Sequence, residues 1–492
     1  MSLLGIDIGT TGCKSVVFSL NGEQLAKSYR DYKIISEKEG YAEWDSEKIW
    51  CNVKETIREV ALKTPDNPIQ ALSVSSLGEA MVLVSKEGQI LGNSILGTDT
   101  RGIEFVRKIK QKFGEFYIYK QTGNFPGAFY SMPKISWLKQ HLPELYNSTG
   151  YFLTWADFVC FMLGGKAITN FCLAGRTLLF DMNKCEWSDE LLEFLELDRN
   201  KLPAPVKSGT MLGYVRADLA EDLNLNSEVA VISGGHDQCC AILGSGIESG
   251  SRSVMYGMGT FICVATVFPQ MPDIRSFYID KMHIEHHVEF GSFISFIYNQ
   301  SGGALIDWFL KTFHLYGNDT QISSFISYES MFAEIPDSLN DIIVIPRFGA
   351  TGPPDFQCEG NGCIYGLSLN HSRGDILRAL LEGISFYILD CFEKLHYIFD
   401  RIDNIVVTGG GSASRKWLQI TADVTNKTIE RNRATEAGAL GAAILAGIGS
   451  NMFDSFGNAI REMVHKEFKI IPDLSKRDFY KEKFKRYKLL AK

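Results

Sequence analysis

The chain has no Cys-x-x-Cys pair and no dense cysteine framework; its eleven cysteines are scattered. That argues against zinc ribbons and disulfide scaffolds. The adjacent Cys239 and Cys240 sit in an apolar run and read as core. No apolar run reaches the roughly 18–20 residues that a membrane span needs. The opening Met-Ser-Leu-Leu-Gly-Ile-Asp-Ile-Gly puts no basic segment ahead of a long apolar stretch, so no secretory leader is expected and a cytoplasmic protein with reduced thiols is. Excess positive charge is missing too: the formal net charge is -8 and the pI about 5.7, which argues against an electrostatic nucleic-acid binder. The basic tail 476–492, with Lys481, Lys483, Lys485, Arg486 and Lys488, reads as the solvated face of a helix with aromatics on its other side. Low-complexity segments are absent, and so are Gly-x-x-x-x-Gly-Lys and Gly-x-Gly-x-x-Gly. The P-loop and dinucleotide readings therefore lack their signatures.

What is present suffices for two large cores. At 492 residues and 45% hydrophobic, two domains are the simplest reading. The glycine- and serine-rich stretch 244–251 marks the boundary, giving 1–245 and 246–492. The β-rich runs 3–8 and 14–19 flank Gly9-Thr10-Thr11-Gly12 and predict a hairpin. The same unit returns at 253–267 around Gly257-Met258-Gly259-Thr260, so the architecture reads as duplicated, one unit per half. Further strands are predicted at 71–76 together with 80–85 as one unit, and at 229–233, 342–345 and 404–408. Helical periodicity covers 46–63, 132–141, 157–163, 189–195, 303–313, 375–399, 414–425 and 434–447. Strands alternating with helices give an α/β class.

Three segments carry chemistry. Asp7 precedes Gly9-Thr10-Thr11-Gly12 and Lys14. Glycines let backbone N–H groups approach phosphate oxygens, hydroxyls add donors, and a strand-end carboxylate suits hydrated Mg²⁺. A plain hairpin is the alternative, but the second such turn at Gly257–Met258 and Gly259-Thr260 allows a triphosphate to be clamped from both sides. Next, the apolar run 229–233 ends in Gly234-Gly235-His236 and Asp237-Gln238 opens a small-residue helix. A carboxylate at that positive helix end stays ionised and can accept a proton from a hydroxyl; a simple helix cap is the alternative. Third, the strand 405–408 runs into Gly409-Gly410-Gly411-Ser412, flat backbone suited to an adenine or ribose face; tight helix–strand packing is the alternative. His283, His286 and His287 beside Glu285 do not follow His-Glu-x-x-His spacing and read as a surface cluster on a strand rather than a metal site.

Together these segments resemble the FGGY carbohydrate kinases along nearly the whole chain. Tyr130-Ser-Met-Pro-Lys134-Ile-Ser-Trp137-Leu138 looks like the family's first signature. Gly362-Cys-Ile-Tyr-Gly366-Leu367 with Asp375-Ile-Leu-Arg-Ala379-Leu-Leu-Glu382-Gly383 looks like its second, and Ala437-Gly-Ala-Leu-Gly-Ala-Ala443 belongs with the 409–412 turn to its adenosine region. The resemblance implies two actin-like ATPase (ribonuclease H-like) domains, each around a mixed sheet, closing over a central cleft, with ATP and Mg²⁺. It implies Asp7 near the metal; Thr10, Thr11 and Lys14 facing the phosphates; Gly259 and Thr260 in the second phosphate turn; Gly303 nearby; Gly410 and Gly411 against adenosine; and Asp237 as base.

The substrate marks are mixed. Glu79 in Ser-Ser-Leu-Gly78-Glu79-Ala stands where xylulose kinases of the family carry His and glycerol kinases carry Glu. Asp237-Gln238 resembles the glycerol kinase pair, and His236-Asp237 that of fuculose and rhamnulose kinases. The glycerol kinases' Arg before that Glu is Gly78 here, and a Trp common farther on is Gly97, which leaves a wider pocket as the expectation. The resemblance thus implies ATP-dependent phosphorylation of a small ketose or polyol, xylulose kinase-like or of a glycerol, erythritol or fuculose type, with Glu79, His236 and Gln238 holding the sugar. A homodimer is left open. An actin- or chaperone-like ATP-driven binding protein is the rival from another class; a pseudo-kinase is disfavoured because Asp7, Thr10, Thr11 and Asp237 are all present.

Overall fold

The computed structural model describes residues 1–313, 328–357, 359–395 and 401–491. Two mixed sheets carry the fold. The first is built from β1 (Ser2–Ile8), β2 (Gly12–Ser19), β3 (Gln24–Asp31), β4 (Ile69–Ser76), β5 (Met211–Tyr214) and β6 (Ala230–His236), in the order β5-β6-β4-β1-β2-β3. The second is built from β7 (Ser253–Met258), β8 (Ile262–Phe268), β9 (Glu285–His286), β10 (Phe293–Asn299), β11 (Asn404–Thr408), β12 (Thr428–Asn432) and β13 (Lys466–Ile470), in the order β9-β10-β8-β7-β11-β12-β13.

The two sheets share a core pattern. Antiparallel β1–β2 and β2–β3 are followed by parallel β1–β4 and β4–β6. Antiparallel β7–β8 and β8–β10 are followed by parallel β7–β11 and β11–β12. The duplication expected from the two Gly-Thr turns is therefore present in the strand order. β1 is apolar on both faces because both are covered: Leu3, Leu4, Ile6 and Ile8 are all buried.

Helices fill the layers as their patterns require. α1 (Ser46–Lys63) starts where Asp45 accepts a hydrogen bond from the Lys48 N–H, and it buries Ile49, Val53, Ile57 and Val60 along one face. α2 (Asp237–Gly244) follows β6 directly, and α3 (Gly303–Thr312) follows β10 closely. α4 (Arg373–Lys394) opens on a capping box between Ser372 and Asp375. α5 (Ala437–Gly449), from the second half, packs on β1 and α2 of the first half. An ideal Cβ at Gly5 would lie 1.8 Å from the Ala439 carbonyl oxygen, and one at Gly441 would lie 1.9 Å from that of Cys240. Only glycine permits this approach.

Two expectations are corrected here. Residues 71–85 are not one unit: β4 ends at Ser76, while Met81–Val84 pairs with Tyr151–Thr154 in a separate four-stranded sheet. The break falls at Leu77–Ala80 because Gly78 and Glu79 are drawn against Arg176. In the tail helix α6 (Arg477–Leu490), Lys483 is not solvated but buried. Its ammonium donates to Glu382 (2.5 Å), which also accepts from Arg378 Nε (2.8 Å) and Tyr480 OH (2.9 Å). A buried carboxylate needs such partners, and the helix supplies one from its apolar side. Cys239 and Cys240 are core, as read. Among the described residues no helix is long and apolar enough to cross a membrane.

Candidate functional site

The turn between β1 and β2 is held by its own backbone. Gly9 N–H donates to Gly12 O (3.0 Å), Tyr32 OH donates to Gly9 O (2.6 Å), and Tyr32 N–H donates to Thr11 O (3.1 Å). These bonds occupy carbonyls and leave the Thr10 and Thr11 side chains exposed. At the end of β1, Asp7 Oδ1 accepts from Ser75 Oγ (2.8 Å) and Oδ2 lies 3.1 Å from Lys14 Nζ. Lys14 also pairs with Glu436 Oε2 (2.8 Å), and Glu436 pairs with Lys27. Burial opposes the Lys14 charge, but Asp7 and Glu436 outweigh it and hold its pKa above the usual lysine value. The N-terminus of α5 closes over Asp7: an ideal Cβ at Gly438 would lie 3.1 Å from its Oδ1.

β6 extends through both glycines to His236, farther than the apolar run suggested. Gly234 allows it, since a Cβ there would lie 1.7 Å from the Val74 carbonyl oxygen. His236 is the N-cap residue of α2, without a side-chain capping bond, and Asp237 is the first helical residue rather than the cap. The Asp237 side chain is 30% exposed. Burial raises its pKa to about 6, partly countered by His236. Gln238 Oε1 accepts from Cys263 Sγ of β8 (2.9 Å), which ties α2 to the second sheet.

Behind Asp237 lies a row of charged groups. His236 Nε2 is 3.2 Å from Asp237 Oδ1, and His236 Nδ1 is 3.2 Å from Glu285 Oε2. Arg176 Nη1 donates to Glu285 Oε1; Arg176 Nε donates to Glu79 Oε1 (2.6 Å), as does Nη2. Burial pulls His236 down, but Glu285 and then Asp237 reverse this and hold it at about 9. Burial pushes Glu285 up, yet Arg176 and His236 keep it at about 2. Both ring nitrogens of His236 thus face carboxylates, each 3.2 Å away.

The histidine run is not on the surface. His283, His286 and His287 are all buried. Phe, Ile and Val neighbours carry the segment into the core, where His286 Nε2 donates to Met182 O (2.8 Å) and the His283 ring packs 3.8 Å from that of Phe296. Its strand character is as read, over Glu285–His286. Nor are the small residues near Glu79 gaps. A Cβ at Gly78 would lie 2.4 Å from Arg176 Cγ, and one at Gly97 would lie 3.1 Å from the Phe129 ring. Arginine and aromatic ring fill the space expected to be open. Arg176, Glu436 and Phe129 were not singled out from the sequence. Arg176 left a signal, being the lone charge in the run 171–180.

On the second sheet, Gly303 N–H donates to Gly259 O (2.9 Å) and Ala304 N–H to Thr260 O (3.0 Å), so α3 starts on the second turn. Gly259, Thr260, Gly303, Gly410 and Gly411 line one cleft of about 1140 Å³, with Trp417 and Phe332 among its walls. Thr10, Thr11, Lys14 and Asp7 are not part of that lining.

Two sheets of one topology, each offering a Gly-Thr turn, define a protein of the actin-like ATPase fold. The chain belongs to the FGGY family of carbohydrate kinases: the family's N-terminal domain matches residues 2–244 and its C-terminal domain residues 291–450. A xylulose kinase of Bacillus subtilis (strain 168) is 28% identical over 491 residues, 99% of this chain and 96% of that protein. A glycerol kinase of Thermococcus kodakarensis is 27% identical over 463 residues, 91% of this chain and 88% of that protein. The solved ligand-bound xylulose kinase from Lactobacillus acidophilus shares the fold, with a TM-score of 0.87 at 22% identity over 99% of this chain and 97% of that one. The protein is thus a phosphotransferase that uses ATP to phosphorylate a sugar or polyol hydroxyl, and the ATP-driven binding-protein rival falls.

Proposed function

We propose that the chain transfers the γ-phosphoryl group of ATP to a primary hydroxyl of a small ketose or polyol, with Asp237 as general base. The observation that carries this is the partly exposed Asp237 carboxylate opening α2, with its pKa near 6. It is ionised at neutral pH, yet basic enough to take a proton. The hydroxyl oxygen attacks the γ-phosphorus, the bond to the β-phosphate oxygen breaks, ADP leaves, and the hydroxyl proton passes to Asp237. Glu79 Oε1 takes both Arg176 bonds, which leaves Oε2 for a sugar hydroxyl. Gln238 keeps its amide NH₂ for another, while His236 acts on the sugar only through Asp237.

Thr10, Thr11 and Lys14 serve the phosphates from the first half, 1–245, and Gly259, Thr260 and Gly303 from the second, 246–492. The end of the matched N-terminal domain at 244 supports that division, and the C-terminal match begins farther on at 291. Gly410 and Gly411 offer flat backbone to the adenosine; a Cβ at Gly410 would meet nothing within 4 Å. The Asp7 site fits Mg²⁺. It is a hard-oxygen carboxylate beside the phosphate turn, and Lys14 retains Glu436 if Asp7 Oδ2 turns to a hydrated ion. The bound ion supplies charge neutralisation at the phosphate oxygens. ATP use suits the cytoplasmic setting expected from the sequence.

A second reading, a glycerol-type polyol kinase, gains from two contacts. Arg176 sets a guanidinium on Glu79, and Phe129 sets a ring on Gly97, restoring in space the arginine and aromatic absent from positions 78 and 97. Relative turnover on C3–C6 polyols and on ketoses tells whether the site is of the glycerol type or takes a ketose. Asp237→Asn tests both: it is expected to fold and bind ATP while turnover falls roughly 10²–10⁴-fold. Turnover within a factor of a few of the parent removes Asp237 from the base role.

A further inference from the structure

We infer that Glu285 is a positioning residue for phosphoryl transfer: one carboxylate from the second half of the chain orders both Glu79, through Arg176, and Asp237, through His236. The inference rests on the reading of Asp237 as base.

The geometry is a single row, Glu79–Arg176–Glu285–His236–Asp237, in which acid and base alternate. Its two ends are the carboxylates proposed to meet the sugar. Its three interior members are buried, and the Glu285 side chain has no exposed surface. Charges so placed persist only when paired. Glu285 spends one oxygen on each neighbouring cation. Neither His236 Nδ1 nor Glu285 Oε2 has an aligned hydrogen bond among the described residues; each is the other's ionic partner at 3.2 Å. Without the Glu285 charge, Arg176 and His236 lose the anion that lies between them.

The surroundings supply no substitute. His236 is faced by Asp237 from α2, by Glu285 and His283 from around β9, by Arg176 from beyond Phe171–Gly175, and by the Phe296 ring of β10. Its backbone N–H donates to Cys172 Sγ (3.3 Å). Asp237 is faced by His236, by Asp7 from β1, by Glu79, and by Cys240 and Cys263. Among these, His236 is the cation that counters the burial of Asp237, and Glu285 is the leading charge that keeps His236 protonated. Neutralising Glu285 drops His236 toward the neutral imidazole, and Asp237 then rises toward the protonated form, which cannot act as a base.

The test is the pH profile of kcat from pH 5 to 9 for the full-length parent, Glu285→Gln and His236→Gln, with ATP and the best substrate from the polyol and ketose screen saturating. Sugar and ATP KM and the Tm are read on the same preparations. In both variants the acidic limb is expected to move up by about one unit, a tenfold loss on that side that recovers toward pH 9. In Glu285→Gln the sugar KM is also expected to rise, with the ATP KM held. An acidic limb left in place, or a loss equal at every pH, would mean that Glu285 only packs the core and overturns the inference. If Glu285→Gln does not fold, His236→Gln decides alone: a moved limb supports the row and an unmoved one overturns it. Failure of the base reading is distinguishable, because Asp237→Asn would then keep its turnover and its acidic limb.

Discussion

At the residue scale, Glu79 shows how a local pattern misleads. Gly78 beside a long acid reads as part of a wider pocket, yet Gly78 is small because Arg176 lies over it. Gly78→Ala puts a methyl group 2.4 Å from Arg176 Cγ. Arg176 is pinned at both ends, so it cannot swing aside without breaking a pair. A stability loss of about 1–3 kcal/mol in urea titration is expected, typical of overpacking, together with a raised sugar KM. Unaltered stability and KM would show that Arg176 moves freely. His236 gives a second expectation, on pH. Its folded pKa, about 9, lies above the ordinary 6.5. Its stabilising contribution is therefore complete below about pH 6.5 and lost as pH rises through 9. The stability gap between parent and His236→Gln should shrink from pH 6.5 to 9.5; a constant gap would mean the ring stays neutral. Neither Arg176 nor Glu285 could be assigned from sequence, because their partners lie 97 and 109 positions away. What was legible was position: which residues end a strand, turn the chain or open a helix, as at Asp7, Asp237 and the two glycine turns.

At the element scale, the legible parts were those whose signal is local. α1 and Asn404–Thr408 have the bounds their periodicity predicts, and Asp189–Leu195 does too. The unit 71–85 was not legible as two strands, because both sides of the break are β-rich and the cause of the break is a distant arginine. Lys483 was misplaced for a related reason. Charge on a helix normally faces water, and here the acid that draws it inward sits on α4. The pairing of α2 with α5 was likewise hidden, although both are rich in small residues. Gly441 faces the Cys240 carbonyl, and Gly244 faces that of Ala437, with a Cβ there 2.0 Å away. Gly441→Ala must therefore spread the two helices. A loss of about 1–3 kcal/mol in urea titration is expected, with lower turnover because α2 carries Asp237. Full turnover with parental stability would show that this contact does not hold the proposed base in place.

At the scale of the whole molecule, duplication was legible in the sequence, because two strand–Gly/Thr–strand units recur half a chain apart and the sheets repeat the same order. Arrangement across the cleft was not legible, since it depends on how two independent cores meet. Gly259, Thr260, Gly303, Gly410 and Gly411 surround one cleft, while Thr10, Thr11, Lys14 and Asp7 stand outside its lining. The proposed clamp needs both sets on one triphosphate, and Asp237 must reach a hydroxyl aligned with the same γ-phosphate. Bringing the halves together around both ligands accomplishes this. It also excludes water, which would otherwise compete with the sugar for the phosphoryl group. A compact chain of this length has a radius of gyration of about 23 Å. Small-angle scattering should show the particle contract toward that value with a non-hydrolysable ATP analogue and sugar together. Either ligand alone touches fewer of the required groups and should contract it less. The same closure should make sugar-independent ATP hydrolysis slow compared with transfer. Scattering profiles that coincide with and without saturating ligands, in a preparation with full activity, would mean that the two sets of residues already meet on the substrate without closure.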